Sequence, residues 1–258
     1  MRPIIIPFVS VVVAVVVTAT MDFTGYTNFS ALPLLAITII SWIILKLSKK
    51  EIGLTLGRLK YYGLALSYPL LVLGATALIA YLSGGFSIQQ GNMENDLLNF
   101  AFGVVIGPLA VLLTEEGFFR GWLWGALRRT GISSKITLFA TSGIFIIWHV
   151  SAVISGSEYG LPYSQVPVYL VNVLLLGLIW GTMRWASGSI IVASVSHAVW
   201  NALAYGLFGY GEKIGLLGVN NTFLLGPEVG YLGIALNGLY FLWLWKITKK
   251  GRNSMQLS

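Results

Sequence analysis

Residues 98–128 read LNFAFGVVIGPLAVLLTEEGFFRGWLWGALR, an apolar run that contains two adjacent glutamates and an arginine. A membrane-spanning helix needs about 20 apolar residues, so this run is long enough to cross a bilayer. Ionisable side chains at membrane depth are costly and usually functional. The run therefore predicts a membrane protein and indicates where its chemistry lies.

The composition of the whole chain extends this prediction. Of 258 residues, 56% are hydrophobic and only 10% are charged, whereas a soluble domain carries about a quarter charged residues. We predict an all-α polytopic membrane protein, a bundle of about eight transmembrane helices forming a single transmembrane domain over residues 1–258, with its catalytic core at about 98–207. The apolar runs lie at about 4–20, 31–47, 61–82, 98–128, 136–153, 166–184, 188–207 and 228–247. There is no cysteine, which excludes disulfides, thiolate metal sites and a cysteine nucleophile.

The distribution of positive charge predicts the orientation. With the N-terminus inside, fourteen of the sixteen Lys and Arg residues lie at cytoplasmic ends, namely Arg2, Lys46, Lys49, Lys50, Arg58, Lys60, Arg128, Arg129, Lys135, Arg184, Lys246, Lys249, Lys250 and Arg252. Cytoplasmic loops collect such residues, while Asp22 and Glu228 fall on the outer side. We expect a multi-pass protein of the cell membrane with both termini cytoplasmic. The net charge of +7 then reflects topology and anionic lipid of the bilayer, and no nucleic-acid partner is expected. An alternative for the first run is a cleaved signal peptide.

Helix geometry separates the two glutamates. In an α-helix Glu116 and Arg120 stand four residues apart on one face, which suits an ion pair. Glu115 lies on another face of the helix, away from Arg120, and has no positively charged partner nearby in the sequence. It is therefore a candidate general base. The alternative is that these charges snorkel at a helix end, but the apolar pattern continues beyond Arg120 to Leu127. Pro108 should kink this helix, and Gly117, Gly121 and Gly125 form a small-residue stripe suited to packing against another helix.

The only two histidines, His149 and His197, both lie in apolar runs. Each has a polar or aromatic neighbour four residues away, Phe145 before His149 and Asn201 after His197. A lone histidine on such a helix is more often a packing residue, but both lie at membrane depth, which favours function. Counting residues from the turn at 130–134 puts Glu115 and His149 at matching heights, each about 20 Å away at 1.5 Å per residue.

These residues spell Glu-Glu-x-x-x-Arg, then Phe-x-x-x-His, then His-x-x-x-Asn. The pattern resembles the type II CAAX prenyl endopeptidase family, the Ras-converting-enzyme-like intramembrane glutamic peptidases and their prokaryotic relatives, which are grouped with bacteriocin-processing enzymes. The likeness covers about residues 115–201, a third of the chain.

The resemblance implies a catalytic set of Glu115, Glu116, Arg120, His149, His197 and Asn201. Glu115, assisted by His149, would activate water to attack a peptide carbonyl, and His197 and Asn201 would stabilise the oxyanion. Phe145 would shape the substrate-binding wall. The implied substrate is the C-terminal tail of a protein or peptide, with prenylated CAAX-type tails among the candidates, cut at the cytoplasmic side without a cofactor or metal.

Three alternatives stay open on the sequence. Zinc could be held by Glu115, His149 and His197 in a metal-dependent version of the same peptidase. The ionisable residues could instead serve a proton-coupled transporter, or the protein could be an inactive binding scaffold of the immunity type.

The predicted orientation can be tested with reporter fusions. Fusions after Lys60, Arg129 and Lys250 should report a cytoplasmic location, and fusions near Gln89, Gly160 and Asn221 an external one, because the basic segments are retained inside. An external signal after Arg129 would contradict the assignment.

Overall fold

Helices make up nearly all of the regular structure, as the composition predicts. The computed structural model describes the backbone of residues 2–85, 87–89, 93–155, 161–210 and 213–256. Within these ranges it describes all side chains except those of residues 2, 3, 93–96, 210, 213 and 250–256. The side chains of Arg2, Lys213, Lys250 and Arg252 thus lie outside the described residues.

The helices follow one another along the chain with short connections. They are α1 Arg2–Phe23, α2 Leu32–Leu45, α3 Lys49–Ile52, α4 Lys60–Leu82, α5 Met93–Val105, α6 Gly107–Leu113, a π-helix Glu116–Leu123, α7 Trp124–Arg129, α8 Ser134–Ile154, α9 Val166–Ser187, α10 Ile190–Phe208, α11 Thr222–Leu225 and α12 Tyr231–Gln256. A 3-10 turn spans Thr27–Phe29. Two short strands, β1 Gly209–Tyr210 and β2 Lys213–Ile214, pair antiparallel.

The outer surface of the bundle is suited to lipid. Within the described residues, six segments are long and apolar enough to span a membrane: Ile4–Phe23, Thr27–Leu45, Lys60–Leu82, Ser134–Ile154, Val166–Ser187 and Ile190–Phe208. Large apolar side chains on them point outward, such as Val16, Ile43 and Leu70, which are 57%, 68% and 60% exposed. Water-soluble monomers rarely expose such extended apolar surface. The chain is a multi-pass membrane protein, and the count of eight spans stays a prediction.

The predicted single helix over 98–128 is wrong, because this segment is divided into α5, α6, the π-helix and α7. The first break comes where Pro108 enters the first turn of α6, since proline lacks the N–H that would continue the preceding helix. A second break lies at Thr114, whose φ of −104° and ψ of −96° are not helical. The disruption expected at Pro108 is therefore present as an interruption between α5 and α6 at Ile106, which keeps helical dihedral angles.

The π-helix depends on one glycine. A Cβ atom at Gly117 would lie 2.5 Å from the carbonyl oxygen of Leu112, so no other residue fits without a backbone shift. Gly121 and Gly125 contact α3, as expected for a packing stripe: their Cβ positions would lie 3.4 Å from Ile52 O and 3.0 Å from Glu51 O. The interpretation of Gly117 as part of that stripe is wrong, because it faces its own chain.

Arg184 connects the π-helix to α3. The sequence placed this residue among the cytoplasmic charges, but its side chain is buried in the last turn of α9. Its Nε donates to Arg120 O at 3.1 Å, and its Nη2 donates to Glu51 O at 3.1 Å. The guanidinium thus satisfies two carbonyl groups that the irregular backbone leaves inside the protein.

Helix α1 is joined to α8 by polar contacts in the turn around His149. Trp148 Nε1 donates to Thr18 Oγ1 at 2.8 Å, and Ser151 Oγ donates to Asp22 Oδ2 at 2.6 Å. Asp22, which the sequence placed on the outer side, is buried in the last turn of α1. Hydrogen bonds of this kind hold membrane helices together where lipid supplies no hydrophobic drive.

At the end of the bundle that carries Arg129, Glu51→Gln should lower thermal stability in detergent near neutral pH. The backbone N–H of Ser48 and the side chain of Arg129 lower the pKa of Glu51 from 4.5 to about 2. Because the folded-state pKa is the lower one, the stabilisation is present above pH 4.5 and is lost as the pH falls towards about 2. Both side chains are more than a third exposed, so the effect should be ~1 kcal/mol or less. The difference in Tm between the wild type and Glu51→Gln should become smaller as the pH is lowered. A difference that stays the same in acid would contradict this account.

Candidate active site

Arg120 and Glu116 form an ion pair that is sealed inside the protein. Both side chains are 0% exposed, and Arg120 Nη1 lies 3.1 Å from Glu116 Oε1. The guanidinium also lies 4.1 Å above the ring of Phe145, which favours the charge through a cation–π interaction. The pairing predicted from the sequence is present, although the residues stand on a π-helix and not on an α-helix.

His197 lies between the two glutamates. Its Nδ1 is 3.0 Å from Glu116 Oε1, and its Nε2 is 3.9 Å from Glu115 Oε2. An ionised carboxylate only accepts hydrogen bonds, so Nδ1–H donates to Glu116 and Nε2 faces Glu115. The imidazole stacks on Trp180 with a centroid separation of 3.7 Å. The ring is therefore fixed in both position and orientation.

The two glutamates have different surroundings. Glu116 is closed off by Arg120 and His197, whereas the Glu115 side chain remains 16% exposed. No described Lys or Arg pairs directly with Glu115, as the sequence predicted. Glu115 is thus the carboxylate that an incoming molecule can reach.

His149 lies in the same group of side chains as His197 but does not take part in the contact between His197 and the two glutamates. Its Nδ1–H donates to the carbonyl of Phe145 at 2.8 Å, which leaves Nε2 as the free nitrogen of a neutral ring. The residue count predicted His149 as the neighbour of Glu115, but the imidazole within ion-pair distance of that carboxylate is His197. Residue counting gives height only approximately here, because the π-helix between Glu115 and the turn does not have the α-helical rise.

Phe145 and Asn201 complete the predicted set. The Phe145 ring is 2% exposed and lies 4.3 Å from the His149 ring and 6.5 Å from the His197 ring, so it supports the site from inside. Asn201 follows His197 by one turn of α10 and is half-buried. Their assigned roles in substrate binding and catalysis stay predictions.

Two residues at the site were missed by sequence reasoning. Trp180 and Arg184 lie one turn apart on α9, where Trp180 packs on His197 and Arg184 holds the carbonyl of Arg120. The available signal was their spacing of four residues on an apolar helix, the same spacing as in the pairs that were recognised.

The described residues do not include a group of three His, Asp or Glu side chains arranged to hold a metal ion. Glu115, His149 and His197, the zinc ligands of the metal-dependent alternative, share one region, and one nitrogen of each ring has a partner on the protein, an arrangement that is also common for metal-bound histidines.

Comparison with known proteins gives one match. Residues 94–203 match the family model described as type II CAAX prenyl endopeptidase Rce1-like. This range includes the π-helix and all three sequence motifs. No curated protein and no solved structure matches the chain.

The two neighbouring glutamates should respond differently to the same substitution. Glu116→Gln leaves the buried charge of Arg120 without its counterion, so stability should fall by ~3 kcal/mol or more. Glu115→Gln removes no ion pair with Lys or Arg and should change stability little. Thermal unfolding in detergent measures both, and each variant is the control for the other. Equal loss of stability in the two variants would contradict the separation of their surroundings.

Proposed function

We propose that this chain, which carries an Rce1-like type II CAAX prenyl endopeptidase domain at residues 94–203, cleaves peptide bonds with a glutamate-activated water. One observation carries the proposal: His197 lies between a sealed, Arg-paired glutamate and an accessible one. Two adjacent carboxylates held in such different surroundings suit a division into a structural and a reactive group.

In the proposed reaction Glu115 removes a proton from water while the water oxygen attacks the carbonyl carbon of the peptide. The C–O bond forms and the carbonyl oxygen becomes an oxyanion, which the Asn201 amide stabilises together with His197 in its imidazolium form, which carries an N–H on both Nδ1 and Nε2. The C–N bond then breaks, and the leaving amine takes the proton that Glu115 accepted. Glu115 returns to its ionised form, so the residues end as they began.

His149 has a supporting role in this scheme. Its Nδ1–H is committed to the carbonyl of Phe145, so Nε2 can accept a hydrogen bond from the attacking water. Glu116 and Arg120 take no part in proton transfer. They hold His197 through Nδ1 and so fix the ring that stabilises the oxyanion.

The proposed substrates are the C-terminal tails of proteins or peptides that reach the membrane from the cytoplasmic side, CAAX-type tails with a prenyl group among them. The charge distribution along the sequence supports the cytoplasmic orientation with both termini inside, and the proposed location is the cell membrane. The lipid-facing apolar surface of the bundle supports access by a lipid-modified tail from the bilayer.

The proposal is tested with the purified full chain in detergent or liposomes. A farnesylated CAAX peptide should be cut, with fragments identified by mass spectrometry, and Glu115→Gln should lower turnover by at least ~10²-fold, because the base is lost. The same peptide without its farnesyl group shows whether the lipid is required. Absence of cleavage of both peptides, or full activity in Glu115→Gln, would overturn the glutamate mechanism.

A metal measurement separates the glutamate base from a zinc-activated water. If Glu115 is the base, chelators should leave turnover unchanged, and the acidic limb of the rate profile should disappear in Glu115 variants. One zinc per chain, lost with activity on chelation and restored on its return, would replace this mechanism with a metallopeptidase one.

A further inference from the structure

Glu228 reaches the interior of the bundle from the segment between α11 and α12. The sequence placed it on the outer side, but its Oε1 accepts a hydrogen bond from Trp200 Nε1. Trp200 is 0% exposed and stands three residues after His197 on α10. The carboxylate therefore contacts the helix that carries both His197 and Asn201.

The backbone around Glu228 is fixed by a second set of contacts. Asn172 Nδ2 donates to Glu228 O at 2.9 Å, and Asn237 Nδ2 donates to Pro227 O at 3.3 Å. The two amides are joined by a hydrogen bond of 3.1 Å from Asn237 Nδ2 to Asn172 Oδ1. Tyr68 OH donates to Asn237 Oδ1 at 2.6 Å.

This network joins four helices to the segment that carries Glu228. Tyr68, Asn172 and Asn237 are each 0% exposed and belong to α4, α9 and α12, and Trp200 of α10 stacks on Tyr68 with centroids 4.9 Å apart. Buried polar networks of this kind are costly unless every member is satisfied. Fixing the segment would not by itself need a charged side chain, since a glutamine would accept the same hydrogen bond from Trp200.

The carboxylate of Glu228 lies within electrostatic range of the site. Its neighbours in that range are His197 of α10, Glu115 at the start of the π-helix and Tyr68 of α4. The groups from α9 and α12 that contact this segment, Asn172 and Asn237, are uncharged. Among the described residues the ion pairs of Lys and Arg involve Glu51 and Glu116, not Glu228.

We propose that Glu228 is a positioning residue of the reaction centre, which holds the His197 turn of α10 through Trp200 and adds a negative charge beside His197 and Glu115. This role rests on the proposed peptidase function. Glu228 makes the site more negative than Glu115 and Glu116 alone would, so the pH range of activity depends on a residue outside the three sequence motifs.

The test compares Glu228→Gln with Trp200→Phe, using Glu51→Gln as the matched control for a lost carboxylate at the far end of the bundle. Glu228→Gln keeps the acceptor for Trp200 but removes the charge. Without that charge, a neighbouring carboxylate ionises more readily and a neighbouring imidazole loses its proton more readily, so both limbs of the kcat/KM profile should move to lower pH by about half a unit or more. Glu51→Gln should leave the profile in place.

Trp200→Phe keeps the ring against Tyr68 and the charge of Glu228 but removes the hydrogen bond. It should lower kcat by about tenfold with little change in KM, because the groups that act in the transition state are displaced, and it should shift the pH limbs less than Glu228→Gln does.

The outcomes distinguish this inference from the proposed function. Cleavage by the wild type that is lost in Glu115→Gln, together with a Glu228→Gln profile identical to the wild type, would overturn the role of Glu228 alone. A profile shift of equal size in Glu51→Gln would also overturn it. A wild type that cleaves neither peptide, or a fully active Glu115→Gln variant, would overturn the peptidase proposal and this inference with it.

Discussion

The buried charge of Arg120 is the constraint on which the rest of the site depends. A guanidinium sealed inside a membrane protein must be neutralised by a partner, or it destabilises the fold by several kcal/mol. Glu116 supplies the negative charge that neutralises Arg120, and the ring of Phe145 packs on the guanidinium. With one oxygen of Glu116 facing Arg120, the same oxygen orients Nδ1 of His197. The ion pair thereby fixes the imidazole that faces Glu115.

The irregular backbone of this segment serves the same arrangement. Breaks at Pro108 and Thr114 and the wide π-helical turns place Glu115 at a helix start and Glu116 inside the bundle. π-helical turns often occur at functional sites, because they redirect side chains that a regular helix would space evenly. The cost of the freed carbonyl groups is reduced by Arg184, which donates to Arg120 O.

Hydrogen bonds and an ion pair hold the helices together at both ends of the site. At one end Arg184 joins α3, the π-helix and α9, and the Glu51–Arg129 pair joins α3 to α7. At the other end Asn172, Asn237 and Tyr68 hold the segment of Glu228. Lipid is as apolar as the helix surfaces, so packing and hydrogen bonds, not a hydrophobic drive, determine how membrane helices associate. The site is thus placed by specific hydrogen bonds between elements that are far apart in the sequence.

The sequence alone determined the fold class, the pairing of Glu116 with Arg120 and the membership of His149 and His197 in apolar helices, because composition and spacing of four residues are local properties. It predicted an interruption at Pro108 but not the break at Thr114 or the π-helix, since a π-helical turn depends on which partners satisfy its freed backbone groups, here Arg184 at the carbonyl of Arg120. Nor could it decide which histidine approaches Glu115, or that Glu228 returns to the interior. Those outcomes depend on how α9, α10 and α12 pack, and only the tertiary structure brings Glu228 beside Trp200, 28 residues earlier in the chain.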